Sequence, residues 1–139
     1  MIKKKLNIGD FAEIEKIFSQ EEVIIYAKMS NDTNPIHFDN NYASQTSFKK
    51  PIVHGLLVAS LFGGLLGTQL PGKGTIHLGQ DLKFLAPVYV GEKVKANIEI
   101  IHIRKDKPII TCSSICTKEN GEIAITGESV IYYKGPFFK

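Results

Sequence analysis

The chain has only two cysteines in 139 residues, at 112 and 116. Four positions apart in a stretch that reads as a strand, they point to the same side and sit too far along it to bridge. They read as small residues of a reducing compartment. There is no C-x-x-C pair, and the four histidines are scattered at 37, 54, 77 and 102, so zinc spacing is lacking and no metal is expected. Charge of one sign is lacking too. Seventeen Lys and Arg against 14 Asp and Glu leave a net +3, spread along the chain with no basic stripe between aromatics, which argues against nucleic acid as a partner. No linker or low-complexity tract divides the sequence. The one long apolar run, residues 55 to 70, is short for a bilayer and interrupted by Gly63, Gly64, Gly67, Thr68 and Gln69, so no membrane span is expected. The opening Met1-Ile2-Lys3-Lys4-Lys5-Leu6-Asn7 is charged with no apolar stretch behind it, unlike a secretory leader. A cytoplasmic protein is the expectation.

What is present is enough apolar material, 43% of the residues, for a single domain over residues 1–139 with one core. Residues 19 to 31 read as a helix with Ser19 as N-cap, Glu21 and Glu22 in the first turn, and Val23, Ile24, Tyr26 and Ala27 as its packed face. Pro35 disfavours helix at Asn34, so the chain turns back there. Asp39 is placed to cap a second short helix over 40 to 46. Residues 55 to 70 are apolar on nearly every side, the mark of a buried helix. Its interior glycines each cost about 1 kcal/mol relative to Ala and are expected where another backbone or a ligand comes close.

The second half alternates. Val94, Ala96, Ile98 and Ile100 fall on one face and Lys93, Lys95, Asn97 and Glu99 on the other, the period of a half-buried strand. The parity changes at Ile100-Ile101, as at a bulge. Lys105-Asp106-Lys107-Pro108 is a turn, 109 to 117 the next strand, and Asn120-Gly121 a type I′ hairpin signal before a strand over 122 to 133. With strands near 11 to 18 and 75 to 85 this makes about five, the apolar helix falling between the first and second. Periodicity and composition support α+β with an antiparallel sheet, one face of which the apolar helix must cover.

The chemistry concentrates in Ser30-Asn31-Asp32-Thr33-Asn34-Pro35-Ile36-His37-Phe38-Asp39. On one continuous helix, positions five apart point about 140° apart; the Asn-Pro break lets the Asp32 and His37 side chains converge on one water. An isolated Asp and His at such a spacing are more often a turn residue and a loop residue. A second segment changes the balance: Pro51-Ile52-Val53-His54-Gly55, opening the apolar helix. Together these resemble the MaoC-like, R-specific enoyl-CoA hydratases, whose motif runs Gly-Asp-x-Asn-Pro-hydrophobic-His-x-Asp, followed by hydrophobic-x-His-Gly at the head of a buried helix. The likeness continues through Pro71 to Phe84 and Ala86 to Glu92, so it covers nearly the whole chain. Two departures stand out: Asn31 where the motif has Gly, and Gly63 in the apolar helix where some relatives carry Ser. Asn tolerates the left-handed region better than most residues, so a helix-ending turn can survive.

The resemblance implies a single hotdog fold, an antiparallel β-sheet wrapped around a central apolar α-helix, and a homodimer paired edge to edge. It implies reversible hydration of trans-2-enoyl-CoA to (R)-3-hydroxyacyl-CoA, of short or medium chain, with hydroxyl and proton added to the same face. No cofactor is required. Asp32 is assigned as the main base and His37 as the group that orients the water and helps move its proton; two coupled groups share one titration, so the reverse division is open. The Gly55 amide is the implied oxyanion donor, at the positive end of the helix dipole, where a glycine admits the thioester close to the backbone. Asn34 is a supporting residue that braces the loop, and His54 a packing or hydrogen-bonding one. His77 and His102 read as structural, Gly72-Lys73-Gly74 as a turn, and Ser60 has no acid-base neighbour for nucleophilic catalysis. Leu57, Leu61, Phe62 and Leu66 line either tunnel or core. Two other readings remain: a hotdog thioesterase, disfavoured because residues 54 to 70 hold no Asp or Glu, and a noncatalytic acyl-thioester-binding module.

Overall fold

The structure is a computed structural model that describes residues 5 to 135; the first four residues, part of the charged opening, lie outside the described residues. The elements run β1 (Phe11–Ile17), α1 (Gln20–Ser30), a 3-10 turn (Pro35–His37), α2 (Asn40–Ser44), α3 (Gly55–Thr68), β2 (Ile76–Gln80), β3 (Lys83–Phe84), β4 (Lys93–Ile103), β5 (Ile109–Lys118) and β6 (Ile123–Tyr132). The strands form one six-stranded antiparallel sheet in the order β1-β4-β5-β6-β2, with β3 also on β6.

Alternation decides which face is inside. Val94, Ala96, Ile98 and Ile100 of β4 and Ile110, Cys112 and Cys116 of β5 are buried, and they form one cluster with Val58, Ala59, Phe62, Leu65 and Leu66 of α3. Removing each large side chain from water contributes about 1.5–3 kcal/mol, so burial of this shared face holds the helix on the sheet. This is the hotdog arrangement, sheet wrapped on helix. The parity change at Ile100-Ile101 is a register shift between Ile100 and His102 against β5. Both cysteines are free and buried on the inner face, and burial pushes each thiol pKa up to about 11. Among the described residues no helix is long and apolar enough to cross a membrane.

Several expectations change. The stretch 75 to 85 is two strands, not one, because the chain bends after Gln80 and presses the Asp81 carbonyl onto β6 at Gly127, where a Cβ would collide with that oxygen. The Asp81 N–H donates to the Glu128 carbonyl and Asp81 Oδ1 accepts the Glu128 N–H, fixing the bend. The hairpin at 120–121 is not type I′, which needs positive φ at both central residues. Only Gly121 has it, at 88°; its N–H donates to the Lys118 carbonyl, the Lys118 N–H donates to Glu122, and Asn120 Oδ1 accepts the Glu122 N–H. This is a three-residue loop with glycine in the left-handed position. Gly63, Gly64 and Gly67 have no heavy atom within 4 Å of where a Cβ would stand, so no neighbouring backbone within the described residues requires them. On α1, Val23 and Ala27 are buried but Ile24 is exposed, because the buried arc is narrower than the run of apolar residues.

Candidate active site

The site is built outward from the end of α1. Ser19 caps its start in a capping box, its Oγ accepting the Glu22 N–H and Glu22 Oε1 accepting the Ser19 N–H, an arrangement of about 1 kcal/mol. Asn31 ends it in the left-handed conformation, φ 62°, so the asparagine standing in place of the motif's glycine makes the same turn. A ladder of short-range bonds follows. Ser30 Oγ accepts the Asp32 N–H at 3.2 Å, Asp32 Oδ1 accepts the Asn34 N–H at 3.3 Å, and Asn34 Oδ1 accepts the Ile36 N–H at 3.3 Å. Side chains that bond the backbone two residues on are how Asn and Asp shape turns. Pro35 then opens the 3-10 turn that ends on His37, and Gln20 Nε2 donates to the His37 carbonyl at 3.0 Å, tying the turn to the head of α1.

His37 has one possible tautomer here. Its Nδ1 lies 2.8 Å from the Ile52 carbonyl; a carbonyl only accepts, so Nδ1 carries the proton and Nε2 presents its lone pair. That Nε2 stands 3.9 Å from Asp32 Oδ2, too far for a bond between them. A single water about 2.8 Å from each can reach both. Burial pushes the His37 pKa below its usual value. The bond to Ile52 opposes this, the neighbouring His54 adds to it, and the Asp32 carboxylate opposes it. The imidazole is buried while the Asp32 side chain is half exposed, so the pair joins a dry wall to an open mouth.

His54, at 2% exposure the most enclosed polar group of the site, stacks on His37 with ring centroids 3.6 Å apart and 25° between planes. Tyr26 meets the same ring edge-on, with centroids 4.7 Å apart. The His54 Nε2 lies 3.0 Å from the Asp32 carbonyl, so it too has a settled tautomer. Gly55 follows as the first residue of α3, whose N-terminus has no side-chain cap, leaving its first amides available to an anion. The Phe84 ring lies so close that a Cβ on Gly55 would meet Cε1 at 2.6 Å. Glycine here leaves room for an aromatic ring as well as for a substrate.

Asp32, His37, His54 and Gly55 all line one cavity of about 430 Å³, with Tyr26, Phe84 and further apolar residues around them. Asn34 is exposed outside that lining and shapes the turn. Sequence reasoning missed Tyr26, taken as a packing residue, and Phe84. The likeness over Pro71 to Phe84 was the only sign of the second, and the i, i+3, i+4 pattern hid the first. The histidines at 37 and 54 are not scattered: the fold stacks them. Leu57, Leu61, Phe62 and Leu66 belong to the core or pack against it and do not line this cavity. His77 bonds Gln80 Oε1 at 2.9 Å, on β2, and Ser60 Oγ donates to the Leu57 carbonyl. Gly72 and Gly74 have φ of 96° and 97°, as a turn requires. Asp32, His37 and His54 offer ligand atoms within 4.8 Å of one another, but His54 Nε2 directs its hydrogen at the Asp32 carbonyl, and stacked rings send their in-plane lone pairs side by side without converging.

The family model of the MaoC like domain matches residues 8–117. The chain is 48% identical over 131 residues to the (R)-specific enoyl-CoA hydratase of Aeromonas caviae, covering 94% of this chain and 98% of that one. It is 35% identical over 130 residues to the mitochondrial 3-hydroxyacyl-[acyl-carrier-protein] dehydratase of Arabidopsis thaliana, covering 91% and 77%. The solved structure of an (R)-hydratase from A. caviae involved in PHA biosynthesis superposes with a TM-score of 0.91 at 48% identity, covering 93% of this chain and 98% of that chain.

Proposed function

The chain belongs to the MaoC-like domain family, and on that footing we propose that it is an (R)-specific enoyl-CoA hydratase, adding water reversibly across trans-2-enoyl-CoA with the whole chain acting as one hotdog domain. The observation that carries the reading is the pair of proton acceptors, Asp32 Oδ2 and His37 Nε2, 3.9 Å apart on the wall of one cavity. A water between them donates one hydrogen to each, which turns its oxygen lone pair outward.

The steps then balance without a cofactor. Asp32 takes a proton from the water as its oxygen bonds C3, and the C2–C3 electron pair moves onto the thioester oxygen. The Gly55 N–H, at the positive end of α3, donates to that enolate. The proton returns from the Asp32–His37 pair to C2 on the face the water attacked, and the carboxylate is regenerated. Asn34 supports the step by holding the turn that carries both groups. The cavity offers no other carboxylate among the described residues, which weighs against hydrolysis of the thioester by a second acid.

The partner we infer is a second copy. Strand β2 is an open edge carrying Ile76 and Leu78, each at least half exposed, and Leu56, Phe84 and Leu85 extend that apolar surface to the mouth of the site. An unpaired apolar edge invites another strand, and two β2 edges make a continuous sheet. With no membrane-crossing helix and two buried free thiols among the described residues, the cytoplasm is the compartment this reading assigns.

Loss of the conjugated enoyl absorbance of crotonyl-CoA, followed by chiral analysis, tests the reaction. Formation of (R)-3-hydroxybutyryl-CoA is expected. Release of free thiol instead would make the protein a thioesterase, and saturable binding without turnover a binding module. Running crotonyl on a carrier protein beside crotonyl-CoA decides between the two thioester carriers.

A further inference from the structure

His54 raises a question that packing does not answer. Its Nδ1 is buried and has no hydrogen-bond partner among the described residues. Leaving a buried acceptor unpaired costs free energy, and a leucine or phenylalanine would fill the same space without that cost. An imidazole of this size combines a flat ring with an N–H at its far end. Both are in use: the ring is stacked on His37 at 3.6 Å and the Nε2–H reaches the Asp32 carbonyl at 3.0 Å, 22 residues away in sequence.

We propose that His54 is the positioning residue of the reaction, fixing Asp32 through its backbone and His37 through its ring so that the two acceptors keep their 3.9 Å separation. The inference rests on the assignment of Asp32 and His37 as the acid-base pair. The need is specific. Asp32 sits on an exposed turn whose other bonds are short-range and 3.2 to 3.3 Å long, while His54 is buried at the head of α3. Tyr26 meets the same ring edge-on at 4.7 Å, a second aromatic contact that holds the imidazole in place. A misplacement of about 1 Å is worth as much as a hundredfold in rate.

Two variants separate the two contacts. His54→Phe keeps the stacked ring and loses the N–H; His54→Gln keeps an N–H of comparable reach and loses the ring. For crotonyl-CoA hydration, His54→Phe is expected to lower kcat about tenfold to a hundredfold, with KM within about threefold and thermal midpoint near that of the parent. His54→Gln should recover part of that loss. A His54→Phe protein with parental kcat, or losses in both variants that only follow their loss of stability, overturns the proposal. Amide NMR of Asp32 to Asn34 provides a readout independent of turnover. Should the parent fail to hydrate any enoyl thioester, the reaction assignment falls, and the positioning claim is still decided there: shifted amides in His54→Phe uphold it, unmoved ones overturn it.

Discussion

Asp32 divides its carboxylate between two tasks, Oδ1 to the turn through the Asn34 N–H and Oδ2 to the cavity. Asp32→Asn keeps an acceptor for the turn and removes the base. It should fold with an unchanged circular dichroism spectrum and thermal midpoint, and lose about 10²- to 10⁴-fold in turnover; a fully active variant would refute the assignment. The same substitution has a consequence for His37. Burial is the largest influence lowering its pKa and Asp32 is among those that raise it, so neutralising Asp32 should move the His37 titration still lower, as followed by the imidazole Cε1–H signal. In the parent, a native pKa below the free value of 6.5 means the unfolded chain binds the proton first as pH drops. The stabilisation is then complete above about pH 6.5 and is lost as pH falls through the native pKa. A His37 midpoint above 6.5 would contradict the buried, Nε2-unprotonated ring described above.

At the scale of elements, the close approach of the Asp81 carbonyl to Gly127 sets the bend between β2 and β3. Gly127→Ala places a methyl against backbone, which cannot rotate away, so a loss of about 1–3 kcal/mol or more is expected from urea unfolding. Gly55→Ala differs: its Cβ meets the end of a side chain, the Phe84 ring, which can swing aside. That variant should fold with little loss and show reduced turnover, and a parental kcat would show that Phe84 does not need its place. These two glycines also mark the limit of sequence reading. The strands with clean alternation, β4 and β5, the bulge at Ile100, the caps at Ser19 and Asp39 and the buried α3 were all legible because each is a local pattern with a local cause. The split at Gln80 and the three-residue hairpin were not, since they depend on where a carbonyl lands across the sheet. Likewise Asp32 and His37 could be read from the Asn-Pro break between them, while the stacking of His54 on His37 joins segments whose approach only the fold determines.

For the molecule as a whole, Ile76 and Leu78 on the β2 edge and Leu56, Phe84 and Leu85 are large apolar side chains left exposed, the kind of surface a partner covers. If two copies pair there, Leu78→Lys puts a charge on the edge strand, a device that blocks strand addition. Sedimentation equilibrium should show the parent as a dimer and the variant shifted toward monomer. Because Leu56, Phe84 and Leu85 line the cavity as well as belonging to that exposed surface, the variant should lose activity as it dissociates, and regain it at higher protein concentration. A monomeric parent with full turnover would remove the second copy from the reading.

The two cysteines on the inner face of β5 carry a practical consequence for how this protein can be studied. With each thiol pKa near 11 and both side chains buried, about one sulfur in a thousand is thiolate at pH 8, and none faces solvent. A chromogenic disulfide reagent should therefore give no colour with the native protein and titrate both sulfurs once denaturant is added. Coenzyme A disulfide in a reaction mixture will not exchange with the chain, and any thiol signal that develops during turnover is the coenzyme's own.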